Sequence, residues 1–291
     1  MVIQRFKQSD IVTQLLYINI GLFFLFIWIK VLFTLFNAPL WGEQWLALST
    51  HPIQVLKTPW TLISYMFLHV DVLHLLFNML LLWFFGKIFL GMFSAKHLLG
   101  LYFLGGILGG VFFILAYNVF PYFTERPHSS LLMGSSASVL GIAIATAVYT
   151  PNTQVLLLLF GKVRLKYLAW FMVATDLLLL TSDNAGGHFA HLGGAVAGWL
   201  FVWGFRKGID FTAWINIVID LFRGISFQKP KQPKMKVHHT RTAQQATQTQ
   251  KTETHSAASS EIEPILEKLR QSGYSSLSAT EKKQLFDASK R

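Results

Sequence analysis

Four short polar patterns stand inside the apolar half of this chain: His69-x4-His74-x3-Asn78, Gly134-Ser135-Ser136-Ala137, Ala190-His191-x2-Gly194-x3-Gly198, and the glycines Gly105, Gly106, Gly109 and Gly110. A serine hydroxyl, imidazoles and a carboxamide amount to a nucleophile, bases and hydrogen-bond donors. That inventory is the one acyl transfer requires. Polar groups at membrane depth cost several kcal/mol when unpaired, so residues of this kind mark function by default.

The surrounding composition places them in a bilayer. Of 291 residues, 53% are hydrophobic, with 26 Phe and 9 Trp, and only 13% are charged, about half the share of a soluble domain. Cysteine is absent, which excludes disulfides, a thiolate nucleophile and any cysteine-ligated zinc or iron–sulfur centre. The net charge of +11 resides largely in loops and the C-terminal segment, where it orients a membrane protein and gives no ground for nucleic-acid binding.

Apolar windows long enough to span the hydrocarbon core, at about 17–25 residues each, fall at roughly 15–36, 69–91, 98–118, 132–150, 167–182 and 188–206. The fold class expected is therefore all-α: a polytopic bundle of six transmembrane helices over residues 15–207, behind a cytoplasmic leader over 1–14 that lacks a cleavage signature. The connection from Asn37 to Leu68, broken by Pro39, Pro52 and Pro59 and rich in tryptophan, reads as a loop in the interface. Arg5, Lys7, Lys87, Lys96, Lys162, Arg164, Lys166, Arg206 and Lys207 collect on one side. Lys57 and Arg126 flank the other, with Lys30 near the end of the first span. The basic side is expected to be cytoplasmic with both termini inside. Spans two, four and six then enter from the outer face, and Ser136, His191, His74 and Asn78 share one depth.

A base must come within about 3 Å of the serine hydroxyl in some pose. Gly194 and Gly198 follow His191 on one helical face, and small-xxx-small faces allow close helix approach in lipid. Spans four and six are thus expected to bring Ser136 to His191, with any side chain larger than methyl at Gly194 separating them and Gly208 tolerating valine. His74 and Asn78, at i and i+4, share a face and can point together at a developing oxyanion.

Plainer roles exist for each residue. A membrane serine commonly bonds back to the i−4 carbonyl, and His74 with Asn78 could be an interhelical clamp. His188 and His191 could join His69 and His74 around a metal, but no carboxylate is expected at that depth, so neither a metal nor another cofactor is assigned. His188 reads as a loop-edge residue. Asp176, placed mid-span in the fifth helix, is open between a buried hydrogen bond and a water path. The glycines of the third span read as packing.

In combination, the histidine pair with asparagine, Gly-x-Ser and Ala-His-x2-Gly-x3-Gly closely resemble the rhomboid family of intramembrane serine proteases, over about residues 11–207. The resemblance implies that Ser136 is the nucleophile and His191 its general base, a dyad without an acidic third member. It implies that His74, Asn78 and the Ser136 backbone N–H stabilise the oxyanion, and that His69 serves structure and water. Three positions depart from the family pattern: Trp60-Thr61 stands where Trp-Arg is common, Ala137 where glycine is usual, and Leu140 where an aromatic ring often stacks on the histidine. None of them removes a catalytic atom.

Beyond Lys207, residues 208–227 read as an amphipathic helix on the inner membrane surface. Residues 228–260, basic and polar, read as a disordered linker, and residues 261–291 as a helical hairpin that makes a small cytoplasmic tail. In the hairpin Gly273 ends one helix and Ser278 with Glu281 forms a capping box for the next. The function expected is a serine endopeptidase acting on transmembrane protein substrates in a lipid bilayer, the inner membrane of a bacterium. The alternative is a catalytically silent relative that binds membrane clients without cutting them. The Thr181–Gly187 loop is the expected mobile cap over the site.

Overall fold

In the computed structural model the chain divides into two units, residues 1–228 and 229–291, and residues 4, 6, 8–38, 42–124, 130–157, 160–222 and 257–289 are described. The first unit holds α1 (Ile11–Leu35), α2 (Val72–Leu90), α3 (Ala95–Val119), α4 (Ser136–Tyr149), α5 (Leu165–Leu178), α6 (Ala185–Arg206) and α7 (Ala213–Phe222). Helices α1 to α6 fall in the six expected windows, and the fold is helical as expected. By length and apolarity α1, α2 and α3 qualify to cross a membrane. Helices α4 and α5 have 14 residues each, about 21 Å at 1.5 Å per residue, against a hydrocarbon core of about 30 Å. They are shorter than that core, so the count of six full crossings expected from the sequence is not established by their length.

Caps set the boundaries. Asp71 caps α2, its Oδ1 accepting from the His74 backbone N–H at 2.8 Å, so the helix begins at Val72 and His69 stands before it. Asp10 and Ser94 cap α1 and α3 in the same way. The outward faces are apolar: Trp28, Phe24, Phe77, Trp170 and Leu178 are all more than half exposed, as a lipid solvent requires.

Glycines build the centre, where α3, α4 and α6 meet backbone to backbone. A Cβ on Gly194 would lie 2.1 Å from the Ala137 carbonyl oxygen, and one on Gly198 would lie 2.2 Å from that of Gly141. One on Gly193 would lie 2.5 Å from the Leu108 oxygen, and one on Gly109 would lie 2.5 Å from Ala137 Cβ. The glycines of the third span thus serve packing, as expected: Gly105 and Gly109 face α4 or α6, while Gly106 meets Met66 and Gly110 meets Leu48 of the first loop.

The first loop forms short helical turns at Gly42–Leu46, Pro52–Lys57 and Thr61–Ser64. The Trp60 indole stacks on Trp45 and donates to the Trp45 carbonyl at 2.7 Å, so this loop is held without an arginine after Trp60. The loop also pairs with the segment that leads into α4. Strands β1 (Leu48–Ser49) and β2 (Leu131–Leu132) are antiparallel, with Leu48 opposite Leu132 and Ser49 opposite Leu131. A second hairpin, β3 (Gln154–Leu157) with β4 (Gly161–Arg164), joins α4 to α5. Helix α7 lies within the segment expected to be amphipathic; residues 223–227 fall outside the described residues, as do 228–256 of the expected linker.

In the second unit, α8 (Ala257–Ser272) and α9 (Ala279–Ser289) flank Gly273, whose φ of +76° suits glycine. The Ser278 N–H donates to Glu281 Oε2 at 2.7 Å and the Glu281 N–H to Ser278 Oγ at 3.3 Å, a reciprocal capping box. That backbone bond, with the Lys268 ammonium, holds the Glu281 carboxyl down at about 2.

Candidate active site

Ser136 is the first residue of α4, where backbone N–H groups have no intrahelical partner and point toward whatever lies beyond the helix end. Its approach is built by Gly134, whose φ is +129° and whose N–H donates to the Tyr65 carbonyl at 2.9 Å. A Cβ at Gly134 would stand 2.9 Å from His74 Nε2, and Ser136 Oγ lies 3.7 Å from that same point. The missing side chain is the space the His74 ring uses to reach the serine's neighbourhood. Tyr65 is pinned in turn, its hydroxyl donating to the Gly106 carbonyl at 2.6 Å.

His74 and Asn78 lie on one face of α2, and the Asn78 carboxamide donates to the His74 carbonyl at 2.9 Å, leaving its second N–H for another acceptor. His69 packs edge-on against His74, ring centroids 5.3 Å apart, and its Nε2 lies 3.1 Å from Ser135 Oγ. It therefore engages the serine before Ser136.

Two of these side chains line a common, partly open cavity. A cavity of about 630 Å³ is lined by His74, Asn78, Ser136 and His191, with Asp71, Asp183, Asn184, Gly186 and Gly187 among its other walls. The expected cap thus contributes to the wall, though Ala185 to Gly187 already belong to α6. A smaller space of about 210 Å³ adjoins it, lined by Asn78, Ser136, Leu140, Asp176 and His191. The apolar groove of about 660 Å³ beside Ile144, Trp170 and Trp199 contains none of these groups.

Three sequence expectations are overturned here, while of the two roles left open for Asp176 the buried hydrogen bond is the one the structure shows. Asp176 is not mid-span: it sits in the last turn of α5, almost fully buried, and its Oδ1 lies 2.7 Å from His191 Nδ1 and 2.8 Å from His188 Nδ1. His188 is no loop-edge residue but the fourth residue of α6. The carboxylate thought absent at this depth is therefore present. Asp176, His188 and His191 hold their ligand atoms within 4.8 Å of one another, and among the described residues this is where a cation could be held. A cation there would have to displace the two N–H donors that already satisfy the carboxylate.

These features define a helical membrane protein whose partly open cavity presents a serine, imidazoles and a carboxamide. A family model described as the Rhomboid domain matches residues 56–208, and the chain belongs to the rhomboid family. It is 32% identical over 158 residues to RHOMBOID-like protein 12, mitochondrial, of Arabidopsis thaliana, covering 51% of this chain and 47% of that protein. It is 28% identical over 156 residues to Rhomboid protein 1, mitochondrial, of Saccharomyces cerevisiae, covering 52% and 43% respectively. The match thus spans less than half the length of each relative. Both are mitochondrial by name, so the similarity lends nothing to the expectation of a bacterial inner membrane. No solved structure matches the chain at a significant level.

Proposed function

We propose that this rhomboid is an active intramembrane serine endopeptidase that hydrolyses peptide bonds in or near transmembrane segments of other proteins. The observation that carries this reading is the single cavity lined by Ser136, His191, His74 and Asn78. His191 has its Nδ1 engaged 2.7 Å from Asp176, so Nε2 is the nitrogen left to accept a proton. In the first half-reaction Nε2 takes the Ser136 hydroxyl proton while Oγ adds to the scissile carbonyl carbon. The oxyanion is held by the Ser136 backbone N–H, the Asn78 carboxamide and His74. The carbon–nitrogen bond then breaks as His191 returns the proton to the departing amine. In the second half-reaction His191 deprotonates a water, hydroxide adds to the acyl carbon, and Ser136 leaves with the proton restored, releasing a carboxylate.

Membrane-anchored polypeptides with one apolar span, co-reconstituted in liposomes with the wild type, Ser136→Ala or His191→Ala, test this reading. Fragments are expected from the wild type alone. Retention of such clients without any cleavage by the wild type would instead favour the silent client-binding alternative.

A further inference from the structure

We propose that Asp176 is a positioning residue for His191, so that the hydrolytic site of this chain works through three residues, Ser136, His191 and Asp176, and not through a dyad. The inference deepens the serine-peptidase reading above and rests on it for its catalytic meaning. Its structural content stands on the contacts alone.

An ionised carboxylate offers only acceptors, so each imidazole nitrogen that meets Asp176 Oδ1 must be the donor. Two nitrogens do so, His191 Nδ1 at 2.7 Å and His188 Nδ1 at 2.8 Å. Both distances fall in the range of charge-assisted bonds. In a neutral imidazole, a proton on Nδ1 leaves Nε2 as an acceptor, which is the state a general base needs. Without a partner at Nδ1 the ring could adopt either tautomer and rotate about its side-chain bonds. With Asp176 in place both freedoms are removed, and the imidazolium formed when Ser136 gives up its proton meets a negative charge.

His188 completes the arrangement by fixing the carboxylate. The Asp176 side chain is only 8% exposed and that of His188 only 12%, so the acid has little water to turn toward. The two histidine rings stand nearly perpendicular, at 89° with centroids 5.8 Å apart, an orientation that aims both Nδ1 atoms at one oxygen. The residues of α5 that are fully buried are Leu165, at its start, and Asp176, at its end. The acid is thus the point at which the end of α5 is inserted into the protein beside Ser136. A clamp between two helices would need one of these bonds; the chemistry of His191 needs the particular one that occupies its Nδ1.

Full-length protein in detergent separates the two roles. The isosteric Asp176→Asn removes the charge with little change in volume and is expected to lower kcat by about 10²-fold or more, with KM and the melting temperature near wild-type values. His188→Gln should cost less than tenfold. In parallel, protein labelled with [15N]histidine, with the His191 signal assigned by its loss in His191→Gln, should show His191 as the Nδ1–H tautomer in the wild type and not in Asp176→Ala. An unchanged kcat in Asp176→Asn, or an Nδ1–H tautomer that persists in Asp176→Ala, overturns the inference. Should the wild type cleave nothing while the tautomer still depends on Asp176, the positioning contact stands and the peptidase reading fails instead.

Discussion

In the proposed mechanism Ser136 and His191 are useful only together, because a hydroxyl without its base is a poor nucleophile and a base without the hydroxyl has nothing to activate. Ser136→Ala and His191→Ala should each abolish cleavage, and the double variant should be no slower than either single one, as rate measurements on all three will show. In the proposed mechanism Asn78 supplies one of several donors. Asn78→Ala should lower turnover by about 10²- to 10³-fold while Ser136 still reacts with an activity probe; unchanged turnover would reduce Asn78 to its bond with the His74 carbonyl. That His74, Asn78, Ser136 and His191 would line one cavity was legible because type and spacing carry them: an i, i+4 pair and a serine after glycine need no knowledge of which helices touch. The bond from Asp176 to His191 was not, since it depends on the register between two helices. A signal for it did exist. A carboxylate in an apolar run must find a partner, and an antiparallel α5–α6 hairpin brings residues 12 and 15 positions later to the same level, where His188 and His191 stand.

At the scale of elements, the contact of α4 with α6 decides whether those residues meet. The expected tolerance of a methyl group at Gly194 is too generous, because even a Cβ would stand 2.1 Å from backbone oxygen. Gly194→Ala and Gly194→Val should both lower the melting temperature in detergent, and Gly194→Val should inactivate, since a shift of about 1 Å can cost on the order of 10²-fold in rate. Gly208 is no neutral control, as its φ is +76°. Gly21, with nothing within 4 Å of the added carbon, is one, and Gly21→Ala should leave activity unchanged and melting no lower than wild type, since alanine favours a helix interior. Normal cleavage by Gly194→Val would show that close packing of α4 on α6 is not what places the dyad. The helices themselves were readable from apolar runs, but their ends were not, because Asp71 starts α2 late and the segment before Ser136 pairs with the first loop. Tertiary contacts set both. In the C-terminal hairpin the Glu281 carboxyl is held at about 2 from an ordinary 4.5. Its contribution is therefore present above about pH 4.5 and lost as pH falls toward 2. The protection of the Ser278 amide, its exchange rate relative to that of an unstructured amide at the same pH, should fall over that window and stay level there in Glu281→Gln.

For the whole molecule, the distribution of Lys and Arg assigns orientation, and the absence of cysteine allows single thiols to report it. Ser9→Cys and Lys207→Cys should be labelled by an impermeant reagent from one side of a sealed vesicle, and Lys57→Cys from the opposite side. Labelling of the first two from different sides would mean an odd number of crossings between them. The polytopic class was evident from composition, whereas the 14-residue lengths of α4 and α5 were not, because the apolar runs continue beyond the helix ends.

The central claim, that Ser136 is an activated nucleophile inside the bilayer, is tested most directly by covalent labelling. Purified wild-type protein treated with a fluorophosphonate and digested for mass spectrometry should carry one adduct on the peptide containing Ser136, absent from Ser136→Ala and strongly reduced in His191→Ala. A wild type that takes up no label, or a Ser136→Ala variant labelled as well as the wild type, would contradict it.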